Sequence, residues 1–185
     1  MTNKLVPLSE PFPPDIAEIL ENYPRQDGYL LTLFRTFANS RRFLSKGVPN
    51  LLDRDSPLPL RLREIVILRT TANRNCEYEW GVHVTIFAMK ARLSDAQINA
   101  TRQPSICRSL WSETEATLIE AIDQLCRDGM LSGKTLVQFE TDWTAEQQLE
   151  ILALCGTYNT VSFVANVARL ENEPFAAKFP TRSAG

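Results

Sequence analysis

The 185-residue chain has one histidine, four cysteines and a net charge of only −2, and no run of eighteen apolar residues occurs in it. Each shortage excludes a class of protein. A lone imidazole and four scattered thiols cannot build a familiar zinc cluster. Cys76, Cys107, Cys126 and Cys155 lie far apart in a mid-sized chain, unlike the dense framework of a small secreted domain, so reduced thiols are expected. Twenty basic against twenty-two acidic side chains, with no basic stripe interleaved with aromatics, argue against nucleic acid as a partner. The opening MTNKLVPLSEPFPP lacks the apolar core of a secretory signal. Without a long apolar run no membrane association is expected either, and the two points together favour the cytoplasm. Strict alternation of apolar and polar residues between hairpin turns is also missing, and with it the usual signature of an antiparallel sheet.

What the chain does have is helical period. Hydrophobic residues make up 44% and charged residues 23%, close to globular averages, and no repeat or composition break divides residues 1–185, so one domain is expected. Apolar residues recur at spacings of three and four almost throughout, which predicts an all-α bundle. A short helix follows Pro13-Pro14 and ends before Pro24, and a second runs from Tyr29 to about Leu44, with Leu30, Phe34, Phe37 and Arg41 along one face. Asp53 to Pro57 reads as a loop, Leu58 to about Thr71 as the next helix, and Asn73-Arg74-Asn75 as its break. Three later helix starts carry capping boxes, Ser94/Gln97, Ser112/Glu115 and Thr144/Gln147. The chain thus divides into N-terminal helices over 14–52, a core over about 58–102 and C-terminal helices over 112–171. The last pattern, from Ala145 to Leu170, spans roughly 40 Å at 1.5 Å per residue. Its apolar residues cover more than one face, so it reads as the central strut, buried by several neighbours or by a second subunit.

The chemistry concentrates in Cys76-Glu77-Tyr78-Glu79-Trp80-Gly81-Val82-His83. On a helix, positions 76, 79 and 83 share a face, so a thiol, a carboxylate and an imidazole converge. Trp80, Val84 and Phe87 form the opposite, packing face. Glu64, on the preceding helix, interrupts a largely apolar row with Leu60, Ile67 and Thr71 and is a candidate buried acid. Brought against His83, it would supply an acid and a base in one desolvated site, the minimum for moving a proton. Burial raises a carboxylate pKa and a neighbouring imidazolium lowers it, so the sign is open. Each residue also has a plainer reading: Cys76 as a small core thiol, His83 as a satisfied core histidine, Glu79 and His83 as a surface pair, Glu64 as solvated. Glu64, Glu79 and His83 could in principle hold a carboxylate-rich metal, but no metal or cofactor is expected.

Glu64, Cys76-x-x-Glu79-x-x-x-His83 and the following Ala88-Met89-Lys90-Ala91-Arg92-Leu93-Ser94-Asp95-Ala96-Gln97-Ile98 together resemble the core of the carboxymuconolactone decarboxylase and alkyl hydroperoxidase D-like superfamily. The branch it resembles carries a Tyr-Glu-Trp-x-x-His signature. The likeness begins near Leu60 and takes in Trp111 to Glu115 and Gly156-Thr157-Tyr158-Asn159. It implies a helical bundle that assembles into dimers, trimers or hexamers, with Glu64, Cys76, Glu79 and His83 lining the active site. The dithiol members use a Glu, a Cys-x-x-Cys pair and a His; here Glu79 stands at the second cysteine, so their disulfide cycle cannot operate. Two carboxylates near Cys76 oppose thiolate formation, while a helix N-terminus would favour it.

Three functions follow from the resemblance. The first is a decarboxylase-like lyase in which His83, with Glu79 and Glu64, performs acid–base chemistry on a small carboxylated or lactone substrate. The second is a single-cysteine hydroperoxide reductase of peroxiredoxin type acting through Cys76. The third is a non-catalytic oligomeric binding module. Tyr158 and Asn159 can reach toward the site, but core packing of Tyr158 with a bonded hydroxyl is the expectation.

Overall fold

The computed structural model describes residues 5–180, and these fold into nine α-helices joined by short connections. In chain order the helices are α1 (Pro14–Leu20), α2 (Thr32–Phe37), α3 (Arg41–Lys46), α4 (Leu60–Asn73), α5 (Glu77–His83), α6 (Asp95–Ala100), α7 (Glu113–Asp128), α8 (Gly133–Asp142) and α9 (Ala145–Ala168). A π-helical turn, Val84–Ala88, continues α5. The one strand pairing among the described residues is a two-residue hairpin, Arg25–Gln26 against Tyr29–Leu30. It turns through Asp27 and Gly28, both at positive φ, too short a ladder to leave an alternating pattern.

The helix expected over Tyr29–Leu44 is split. Ser40 accepts from the backbone N–H of Phe43 and starts α3, and a serine that can cap in this way competes with continuation of the preceding helix. All three expected capping boxes are formed, at Ser94, Ser112 and Thr144.

The innermost helix is α4 rather than α9. Every residue from Glu64 to Ala72 is buried, and α4 packs on α5, α7 and α9. One core cluster joins α4, α7 and α9 through Ile65, Leu68, Leu118, Ile122, Ile151 and Leu154; a second lies between the N-terminal helices and the far face of α5. Arg61, Arg63, Glu64 and Arg69 break up the apolar sequence of α4, whereas α9 carries no charged side chain from Ile151 to Ala168, which is why the sequence singled out α9 and not α4. Arg69 fixes the stack: its guanidinium grips both carboxylate oxygens of Asp123 on α7, at 2.6 and 2.7 Å, and donates to the carbonyls of Thr101 and Gln103. An 18-residue window of α9 has mean hydropathy 1.4, enough by length and composition to cross a membrane, and 39% of that window is buried inside the protein.

Candidate active site

The site exists because of a tight reversal. Helix α4 ends at Asn73, and Asn75 takes a left-handed conformation (φ 51°) that asparagine tolerates better than most residues. Cys76 then precedes α5 as its N-cap, with its carbonyl accepting from the N–H of Trp80. The two helices lie against each other, and this brings Glu64 of α4 to His83, one turn from Glu79 on α5.

His83 is enclosed on both nitrogens. Nδ1 stands 2.8 Å from Glu64 Oε2, and Nε2 lies 3.0 Å from the Tyr158 hydroxyl and 3.4 Å from Glu79 Oε1. All four residues are buried, none more than 6% exposed. Burial works against a charged imidazole, but Glu64, by charge and hydrogen bond, and then Glu79 outweigh it and raise the His83 pKa to about 10. His83 is therefore an imidazolium at neutral pH, with Nδ1–H donated to Glu64 and Nε2–H directed at Tyr158 and Glu79. The Tyr158 hydroxyl is held protonated, its pKa raised by burial and then by Glu79 and Glu64, with Arg63 opposing.

Two acceptors remain open. Glu64 Oε1 and Glu79 Oε2 are buried without a hydrogen-bond partner among the described residues. Leaving a buried polar atom unpaired costs about 1–3 kcal/mol, so such atoms mark a place where a ligand or water completes the bonding. The Phe87 ring, on the π-helical turn, lies against His83 at 5.1 Å and 35°. It is only partly buried and covers one side of the imidazole. Neither of two surface clefts, one beside Leu51 and Leu149 and the other beside Asn75 and Arg169, is lined by His83. Among the described residues no three His, Cys, Asp or Glu side chains group as metal ligands.

Cys76 occupies a different environment from His83. Its thiol interacts with the Glu79 backbone and the Ser162 side chain, and it packs with Tyr78, Val82, Val161 and Ala165 in the second core cluster. Burial pushes its pKa up to about 11, with the nearby Glu79 backbone and Ser162 opposing the rise and the Glu79 charge adding to it, so the thiol is protonated at neutral pH. Cys155 is pushed up to about 12 by burial, while Cys107 is exposed.

Of the packing residues, Trp80 is buried with its Nε1–H donated to Thr101. A C-terminal strap crosses α5. Ala177 N–H donates to the Gly81 carbonyl, Phe179 N–H to Glu77, and the Phe179 ring packs on Trp80. Glu173 anchors the strap by accepting from Thr32 N–H and from the Tyr29 and Tyr78 hydroxyls. A side chain at Gly81 has no room, since its Cβ would lie 2.1 Å from the Ala177 carbonyl oxygen. The strap carries no helical period and left no signal in the sequence. Tyr158 serves both as core and as the partner of His83; Asn159 instead binds Arg74 and the Cys155 carbonyl.

No curated protein matches the chain. A family model does: residues 47–123, which hold Glu64, Cys76, Glu79 and His83 but not Tyr158 or the strap, match the Carboxymuconolactone decarboxylase family.

Proposed function

We propose that this protein is a decarboxylase-like lyase in which the His83 imidazolium acts as general acid on a small carboxylated or lactone substrate. The observation that carries the reading is the clamp on His83: a buried imidazole between Glu64 at 2.8 Å and Tyr158 at 3.0 Å, with Glu79 beside it. A cationic acid in a dry site suits a reaction that develops negative charge on carbon. As a substrate carboxylate leaves as CO2, the C–C bond breaks and its electron pair stays on the adjacent carbon, spread into neighbouring unsaturation. The Nε2 proton then passes to that carbon, and the neutral imidazole regains a proton from water. Glu64 holds the ring through Nδ1, and Tyr158 holds Nε2 in line until substrate displaces it.

Arg63 supports a carboxylated substrate. Its guanidinium influences Tyr158, one of its nitrogens donates to the Asp53 carbonyl, and its Nε is buried with no partner among the described residues. In this reading its charge would pair with a carboxylate that the substrate retains. In this reading the substrate enters past the Phe87 ring, which is only partly buried. The protonated, buried Cys76 favours this reading over the hydroperoxide reductase, which needs a thiolate.

The test is CO2 release from a panel of small unsaturated lactone acids by wild type, His83→Gln and Cys76→Ser. Release that vanishes in His83→Gln and persists in Cys76→Ser supports the reading. Peroxide consumption that depends on Cys76, with no CO2 released from any acid, overturns it.

A further inference from the structure

The face of α9 turned away from the core is apolar and, among the described residues, mostly uncovered: Arg74 reaches the Phe163 ring, 6.0 Å from its centroid, and Leu149 borders the cleft beside Leu51. Ala145, Leu149, Leu152, Gly156, Thr160, Phe163 and Val167 follow one another at intervals of three and four, within about 40° of one line on a helix of 3.6 residues per turn. Leu149 is 68% exposed, Leu152 41%, Phe163 56% and Val167 72%, and nothing lies within 4 Å of a Cβ built at Gly156. The stripe holds no charged side chain, and from Ile151 to Ala168 the helix has none at all.

The stripe also reads the same way in both directions about Gly156. Positions 145 and 167, 149 and 163, and 152 and 160 are each equidistant from it. A two-fold axis at Gly156 therefore sets Leu149 against Phe163 and Ala145 against Val167 of a second copy, with Gly156 facing itself where the helices come closest. Self-complementary patches of this kind are what a closed two-fold interface requires. The antiparallel sense also suits the charges. It carries Glu146 toward the uncharged half of the other helix, about one turn from Arg169 of the second copy, whereas a parallel pair would set Glu146 beside Glu146.

The area is adequate. Four large side chains exposed by 41–72% amount to roughly 400 Å² of apolar surface per copy, the size at which a patch on a monomer marks a contact site. Interfaces are a little over half apolar, so this corresponds to about 700 Å² per partner, close to the ~800 Å² of a standard interface.

From these three observations we infer that α9 pairs antiparallel with α9 of a second copy of this chain, about a two-fold axis through Gly156. The pairing braces the helix that carries Tyr158 from behind, on the face opposite the site.

Sedimentation across a hundred-fold concentration range tests this with wild type and Phe163→Glu, an exposed substitution whose folding is checked by circular dichroism. A second variant, Gly156→Cys in a Cys107→Ser background, is oxidised and compared with Ala177→Cys in the same background. The expected result is a wild-type mass twice that of one chain, the mass of a single chain for Phe163→Glu, and a covalent dimer from the 156 thiol alone. A wild type that stays single throughout, a dimer that survives Phe163→Glu, a 156 thiol that does not cross-link, or a single chain that partitions into phosphatidylcholine vesicles through this face would each overturn it.

Discussion

Glu64→Gln keeps the shape of the buried side chain and removes its charge, and it isolates the force that keeps His83 protonated. In wild type the 2.8 Å contact is a charge-assisted hydrogen bond, worth about 1.5–3 kcal/mol; with an amide it becomes a neutral one worth about 0.5–1.5. The difference of roughly 1–2 kcal/mol is the expected loss of stability near neutral pH, about 2–8 °C in Tm for a chain of this size. The loss must also depend on pH. The His83 pKa is raised by folding, from about 6.5 to about 10, so its contribution is fully present below about pH 6.5 and is lost as pH rises through about 10. The gap between wild type and Glu64→Gln therefore narrows over that window. Thermal melts of both proteins at about pH 6, 8 and 10 measure it, and the titration of Cys76, common to both, cancels in the difference. A gap that is absent at pH 6, or constant to pH 10, would refute the reasoning.

Tyr158→Phe removes the neutral partner of Nε2 and leaves the ring packed. Stability should fall by about 1 kcal/mol and decarboxylation by about tenfold, read from melts and from CO2 release on the same preparation. Thiol labelling of the folded protein near pH 8 should modify exposed Cys107 and leave Cys76 until the chain is unfolded, because the Cys76 thiol is buried and its pKa is raised to about 11; rapid labelling of Cys76 contradicts its described surroundings. Gly81→Ala forces the strap away from α5, since its Cβ would meet the Ala177 carbonyl oxygen at 2.1 Å. The expected cost is about 1–3 kcal/mol, with faster proteolysis between 173 and 180.

Much of this architecture was legible because it rests on local rules. The three capping boxes depend on residues three apart, and each formed where its residues stood. Glu64 announced itself as a charge in an apolar row, and it is buried against His83. Other features depend on contacts between distant segments and have no local signature. Tyr158 lies 75 residues from His83, in a row of apolar residues where a tyrosine reads as core, and it is core as well as partner. Shared helical spacing placed Cys76 with Glu79 and His83, but the left-handed Asn75 makes Cys76 the cap of α5, and its thiol joins the Val82 side of the helix. The strap after Leu170 binds through backbone groups, which any sequence offers.

Because His83 is the only histidine in the chain, its ring protons give an unambiguous NMR signal, and their titration measures the charge of the proposed acid directly. The account predicts a midpoint near 10 in the folded protein, returning to about 6.5 in urea and lowered in Glu64→Gln. A folded midpoint at or below 6.5 would mean that burial wins over Glu64 and Glu79, and that His83 is not the cationic acid on which the proposed reaction depends.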